Sequence, residues 1–427
     1  MRTPASIHVY RAVSLIATPL AGPILSMRLK GGKEDPRRVG ERRGRSRLAR
    51  PPGPLVWLHG ASVGEAMSLI PFAERITRSG AAALVTTGTV TSAALLAERL
   101  PAGAMHQYAP LDSPLILRRF LAHWRPDSVL VAESELWPNM IIELTRAHTP
   151  LAMVNGRISE RSFGRWRWAP RFIADLLKRF DLCLARSASD GERLASLGAP
   201  RVLVAGDIKF DAPTLPADRR ELAQLSGLTS GRQIWIAAST HEGEELIAAE
   251  AHRRLSEVFP DALTLIAPRH PERGAAIKRE LEAQGLNCAL RSRGDPVGPE
   301  TAIYLCDTIG ELGLFYRLAG IVFIGKSFAG GGGQNPIEPA RLSCAILHGP
   351  HVANFADAYS ALDDAGGALA LRRPEEVGEA LIKLFANAQR LRAMARSAGE
   401  TVDRLAGAVD RSMKALAPLL PAPRVQA

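Results

Sequence analysis

The stretch LVWLHGASVGE, residues 55–65, sets the architecture. Leu55 to His59 form a short apolar, β-rich run without polar alternation, the pattern of a strand covered on both faces. Gly60 and Gly64 then permit a tight turn, and Ser62 stands where it can cap a helix. Strand, tight turn and helix is the repeating step of a parallel α/β sheet. The turn does not read G-x-G-x-x-G, so the dinucleotide-binding fingerprint is absent.

Working outward, the same step recurs. In the first half, strand-like runs fall at Leu55–His59, Ala82–Thr86, Met105–Tyr108, Ser128–Ala132, Leu151–Val154, Asp181–Ala185 and Val202–Ala205. In the second they fall at Gln233–Ala238, Leu263–Ala267, Cys288–Arg291, Ile303–Cys306, Ile321–Ile324, Ala345–Leu347 and Leu369–Leu371. Helical patterns such as Ser68–Arg78, Thr91–Arg99, Glu244–Glu257 and Pro374–Ala386 lie between them. The expectation is an α/β protein with two parallel sheets. Residues 51–211 form one domain, 231–404 a second, and the weakly periodic stretch 212–230 a linker. Residues 405–427 read as a closing helix and tail.

The segment before the first strand has another character. Ala12 to Met27, 16 residues, carries no charge and holds Pro19 and Pro23. That is shorter than the ~20 residues a helix needs to cross a bilayer. Residues 28–50 follow with ten Lys and Arg against three acids, a large share of the net charge of +11. Such a run suits an anionic lipid surface or another polyanion, or else is a solvated linker. Residues 1–50 are therefore read as a membrane-attachment segment and basic linker, with the remainder on the cytoplasmic side. Cys183, Cys288, Cys306 and Cys344 sit in or beside apolar runs and show no zinc or disulfide spacing, so they read as small core residues.

In open parallel sheets, ligands bind beyond the carboxyl ends of the strands, so the residues just after each run are the informative ones. After the first comes HGASVGE (59–65), where Glu65 is either a helix-start carboxylate or a general base. After the fourth comes ESELWPN (133–139), with Glu133 and Glu135 two apart and one of them expected to face the ligand. NGRISERS (155–162) follows the fifth and GDIKFD (206–211), containing Lys209, the seventh. In the second half, STHEGEE (239–245) and PRHPER (268–273) follow the first two strands, and GEL (310–312) lies beyond Ile303–Cys306. The glycine run 330–333 leads into QNPIEPA (334–340). Glycines let a backbone approach a ligand closely, and a helix start there can meet a phosphate. A flexible glycine loop is the alternative.

Taken in order, HGASVGE, ESELWPN, NGRISERS, GDIKFD, STHEGEE, PRHPER, GEL and QNPIEPA closely resemble the 3-deoxy-D-manno-octulosonic acid (Kdo) transferases of lipopolysaccharide assembly. The resemblance implies a GT-B fold, two Rossmann-like domains facing across a cleft, with an N-terminal membrane-attachment helix. It implies an enzyme on the cytoplasmic side of the inner membrane, with CMP-Kdo as donor and a lipid A precursor as acceptor. By the same resemblance Glu65 takes the position of the proton acceptor, and Glu133 and Lys209 those of transition-state stabilisers. Pro268, Arg269, Gly310, Glu311, Leu312, Asn335, Pro336, Ile337 and Glu338 match the CMP-binding segments. The long glycine run, and Gln334 where a His is more usual, depart from the pattern. No cofactor is implied, and with no Asp-x-Asp pair to bridge a metal to the donor phosphates, no metal is expected.

Two other readings compete: a GT-B enzyme with a lipid acceptor and another nucleotide-sugar donor, and a basic RNA-binding protein. The second is disfavoured because the charge lies beside the apolar segment rather than across the sheets. No nucleic-acid partner is expected.

Overall fold

The computed structural model describes residues 4–422. Among them are fourteen strands in two parallel sheets. The first sheet contains β1 (Leu55–His59), β2 (Ala82–Thr87), β3 (Ala104–Tyr108), β4 (Ser128–Ala132), β5 (Leu151–Gly156), β6 (Leu182–Ala185) and β7 (Val202–Val204). Their order is β3-β2-β1-β4-β5-β6-β7. The second contains β8 (Ile234–Thr240), β9 (Leu263–Pro268), β10 (Cys288–Leu290), β11 (Ile303–Leu305), β12 (Ile321–Ile324), β13 (Ala345–His348) and β14 (Ala368–Ala370). Its order is β10-β11-β9-β8-β12-β13-β14.

The uniform apolarity of the strands follows from their two covered faces. In β1, Leu55 and Trp57 enter one core with Val129, Val131 and Met153. Val56 and Leu58 enter another with Leu130, Ala132 and Val154. Successive side chains point to opposite faces, and each face meets a helix layer, so the strand interiors are mainly apolar. The four cysteines are buried free thiols.

Each sheet has a point where the chain reverses its direction of travel. In the first it lies between β1 and β4, and in the second between β8 and β12. The crevice beyond the carboxyl ends at such a point is the standard ligand position in open α/β sheets. In the first sheet it is framed by the turn holding Glu65 and the turn holding Glu133; in the second, by residues 239–244 and 325–334.

The chain divides into two compact units, Ala212–Leu405 and the remainder, which includes both ends. This corrects three boundaries. The stretch 212–230 holds a helix, Arg219–Leu228, within the second unit; Asp218 caps it by accepting from the amides of Arg220 and Glu221. The expected closing helix is present as Ala408–Leu416, but Leu405 itself belongs to the helix before it. Ala388–Leu405 ends the second unit, and Ala408–Leu416 returns to the first. There Asp211 accepts from the amides of Gly407 and Val409, and Ala408, Val409 and Leu416 complete the core around Val56 and Leu58.

Residues 1–50 are likewise part of the first unit rather than a separate segment. The basic run is folded down by buried acids. Glu34 accepts from Arg28 at 2.7 Å and Arg42 at 2.9 Å, and Glu41 from Arg38 at 2.9 Å. Before it lie the helices Ala5–Ala17 and Ala21–Lys30, bent by 45° around Pro19. No single described helix is long and apolar enough to cross a membrane, although the bent pair passes that test by length and composition together. Ile7 and Leu25 are buried, whereas Val9, Val13, Ile16, Leu20, Ile24 and Met27 are exposed.

Candidate active site

In the first unit the β1 turn is organised by its own polar side chains. Ser62 caps the helix Val63–Arg78 by accepting from the amide of Glu65. The Glu65 carboxylate answers: Oε2 accepts from the Ala61 amide at 2.6 Å and Oε1 from the Ser62 hydroxyl at 2.8 Å. The helix-start reading of Glu65 is thus correct as geometry. It does not exhaust the group, because a carboxylate has about four lone-pair directions and these bonds use two.

Glu133 follows β4 with φ at 51°, the left-handed region that a non-glycine residue adopts at a cost of order 1–3 kcal/mol. The bend interrupts the alternation of an extended chain. Both Glu133 and Glu135 feel the charge of Glu65. Burial raises the pKa of Glu133, and Glu65 adds to this, while Lys209, Arg157 and Arg186 oppose it. Burial, then Glu65, pushes Glu135 up to about 7, against the Trp137 indole N–H donated to it at 2.6 Å. His59 Nε2 stands 3.9 Å from Glu135. Burial, then the charge of Arg42, lowers the imidazole to about 4, so it is neutral near pH 7.

Lys209 is held by local chain geometry. Asn155, with φ at 52° near the end of β5, accepts from the Ile208 amide, and Asp207 accepts from the Lys209 amide at 3.0 Å. Arg186 pairs with Asp190 at 3.3 Å and Asp207 at 3.5 Å. Asp190 also accepts from the Ile158 amide, fixing the loop that carries Arg157. Glu65, Glu133 and Lys209 are therefore one electrostatic group. Glu135, the second carboxylate named after the fourth strand, belongs to it as well, as do Arg157 and Arg186, which were not singled out from the sequence. Arg157 lies within a motif already quoted, whereas Arg186 had no local signal.

In the second unit, the ends of β11, β9, β8 and β12 lie side by side. Glu244, buried at the start of the helix Glu244–Val258, accepts from the amides of Lys326, Ser327 and Phe328 at 2.7, 3.1 and 3.2 Å, and from His241. It ties the turn after β8 to the loop after β12. All four glycines from 330 to 333 have positive φ, and Asn354 donates to the carbonyls of Gly331 and Gly333. A Cβ on Gly332 would meet the Asn354 backbone and side chain at 3.0 Å or less. The run is thus a built turn rather than a slack one. Gln334 meets His241 at 3.0 Å.

Pro268 ends β9, and the exposed Arg269 follows with its amide bonded to Thr240. Asn335 accepts from the Ile337 amide at 3.0 Å, starting the short helix Ile337–Arg341 with Pro336 before it. Burial raises the pKa of Glu338, while a bond from Asn335 and the charge of Arg269 lower it. Arg269, Asn335 and Glu338 are thus neighbours. Gly310, with φ at 89°, Glu311 and Leu312 stand beyond β11. The Glu311 carboxylate is already bound by Arg291 at 2.7 Å, so it is the backbone of this turn that remains for a ligand. Among the described residues no cluster of three or more His, Cys, Asp or Glu is arranged to hold a metal.

Residues 37–212 match the family model of 3-deoxy-D-manno-octulosonic-acid transferase (kdotransferase). A probable mitochondrial 3-deoxy-D-manno-octulosonic acid transferase of Arabidopsis thaliana is 34% identical over 416 residues, 94% of this chain and 93% of the relative. The 3-deoxy-D-manno-octulosonic acid transferase of Haemophilus influenzae is 31% identical over 420 residues, 96% of this chain and 98% of the relative. Among solved structures, a glycosyltransferase from Rickettsia africae aligns with a TM-score of 0.57 at 11% identity, covering 86% of this chain and 99% of its own; at that identity it speaks for the fold alone. The likeness to whole relatives extends well beyond the first sheet and takes in both strand-end sites, and the chain belongs to the 3-deoxy-D-manno-octulosonic acid transferase family.

Proposed function

We propose that this Kdo transferase moves Kdo from CMP-Kdo onto a lipid A precursor by an inverting displacement, working as a GT-B enzyme at the cytoplasmic side of the inner membrane. The observation that carries the reading is the group at the switch point of the first sheet: Glu65 with Glu133, Lys209, Arg157 and Arg186. In this reading the first unit takes the acceptor and the second the donor nucleotide. An acceptor hydroxyl attacks the anomeric carbon as its bond to the CMP phosphate breaks, and Glu65 takes the hydroxyl proton. A positioned base of this kind contributes roughly 10²–10⁴-fold. Lys209 offsets negative charge growing in the transition state. Arg269 meets the donor phosphate, the backbone around Gly310–Leu312 and Asn335–Ile337 approaches the nucleotide, and Glu338 accepts from ribose hydroxyls.

Membrane attachment is supported by the exposed apolar residues Val9, Val13, Ile16, Leu20, Ile24 and Met27 on the bent helix pair, with cationic residues immediately after them. This matches a segment lying in the interface.

The test incubates the full chain with CMP-Kdo and a tetra-acylated lipid A precursor and analyses products by mass spectrometry. The expected product is the Kdo-bearing lipid, and Glu65→Gln lowers its rate at least about 100-fold. A different donor preference, such as UDP outcompeting CMP, would overturn the donor assignment. Full activity of Glu65→Gln would place the base elsewhere.

A further inference from the structure

A cavity of about 330 Å³ lies within the first unit, between the helix Ala21–Lys30 and the carboxyl end of β1. Ile24 and Leu25 line it from the helix, with Leu117 and Met140; Trp137, 41% exposed, lines it too, and Trp57, His59 and Ala61 mark its β1 end. The Ala61 amide is held by Glu65, so this end is one hydrogen bond from the proposed base. On the helix side, Ile24 is 47% exposed and continues the apolar surface of Leu20 and Met27.

The carboxylates in the wall already have partners. Glu34 is taken by Arg28 and Arg42, and Arg42 also donates to the carbonyls of Gly88 and Ala109. Asp112 accepts from the amides of Asn139 and Met140 and from the Tyr10 hydroxyl. Among the described residues lining the cavity, His59 alone carries a buried side-chain polar atom with no hydrogen-bond partner: Nε2, on a residue 3% exposed. Its Nδ1 faces Thr86 Oγ1 at 2.9 Å, and that oxygen already accepts from Trp57 Nε1 at 2.8 Å. That oxygen could accept a second bond, but Nδ1 is the one acceptor its own proton meets, so the hydroxyl donates to Nδ1 and the neutral ring carries its proton on Nε2. A buried donor without a partner is costly unless a ligand supplies one.

A sugar ring would need several free polar partners here, whereas the lining is mostly apolar and its one buried side-chain group without a partner is His59 Nε2. We propose that the cavity seats an acyl chain of the acceptor lipid, entering past Ile24, with His59 Nε2 donating to a carbonyl or other oxygen at the chain's head. This rests on the reading of the acceptor as an acylated lipid. It adds where one chain goes and explains why the N-terminal helix forms a wall of the cavity.

The test uses the two wall tryptophans. Full-length protein is titrated with a brominated dodecyl detergent below its micelle concentration, and tryptophan fluorescence is followed. Saturable quenching is expected, reduced in Trp137→Phe. Binding should weaken at least tenfold in Ala109→Phe and Ile24→Phe, two bulkier replacements in the wall, each checked for folding by circular dichroism. In transfer assays the same two variants should raise KM for the acylated acceptor and leave KM for its deacylated sugar unchanged. Absent or non-saturable quenching, or quenching equal to wild type in both blocked variants, overturns the proposal. An equal KM rise for the deacylated sugar also overturns it, because the cavity would then hold the head group. Quenching needs no turnover, so failure of Kdo transfer and failure of chain binding are read separately.

Discussion

Glu135 should make the first unit less stable as pH rises, and replacing it with Gln should remove that loss. Its pKa is pushed from 4.5 to about 7, first by burial and then by Glu65. Below pH 4.5 the carboxyl is protonated both folded and unfolded. Between 4.5 and about 7 the unfolded chain releases the proton while the folded chain keeps it. The folded state then binds more protons, so stability falls across that window. At about 1.4 kcal/mol per pH unit the full loss is about 3 kcal/mol. With the side chain 19% exposed, solvent screening reduces this to about 2 kcal/mol. Gln keeps an oxygen for the Trp137 N–H and carries no charge. Glu135→Gln should therefore match wild type at pH 4.5 and exceed it at pH 8 by about 4–8 °C in Tm, using roughly 2–4 °C per kcal/mol for a domain of this size. Thermal unfolding followed by circular dichroism across that range is the assay. An offset between the two proteins that does not change with pH would refute the assignment of this proton to Glu135.

Other outcomes follow from the same geometry. Glu244→Gln turns an amide nitrogen toward backbone donors now held by a carboxylate, at about 1.5–3 kcal/mol per lost charged bond; calorimetric titration should show CMP binding weakened at least tenfold, and unchanged affinity would mean the loop after β12 does not meet the nucleotide. Asp211→Ala removes the acceptor for the Gly407 and Val409 amides, so limited proteolysis should cut near residue 407 sooner than in wild type. Transfer activity should be the same with and without EDTA; a loss restored by added divalent metal would reverse the metal-free reading.

The strands were legible because both faces of each sheet are covered, which leaves runs such as LVWLH and SVLVA without polar interruption. The strand-end positions of Glu65, Glu133, Lys209 and Arg269 followed from the same rule. What escaped depends on contacts far along the chain or on backbone angles. Glu135 feels the charge of Glu65, 70 positions earlier, and Glu133 between them turns into the left-handed region, neither of which a spacing argument reveals. Arg186 is recruited by Asp207, 21 residues later. The basic run looked free because its buried partners, Glu34 and Glu41, lie within it and declare themselves only on folding. The helix Arg219–Leu228 did carry a readable signal, Asp218 three residues before Glu221, but its apolar residues were too sparse to mark a face.

The return of Ala408–Leu416 to the first sheet has a consequence for biosynthesis. The core around Val56 and Leu58 is completed by a helix that leaves the ribosome only after the whole second unit. Residues 212–405 must be translated in between, which takes about 10–40 s at roughly 5–20 residues per second. Throughout that interval the nascent first sheet keeps an apolar flank uncovered, while residues 212–405 can close their own core as they emerge. A premature stop just past Leu405 would thus leave an intact second unit joined to an incomplete first one, a natural substrate for chaperones and proteases.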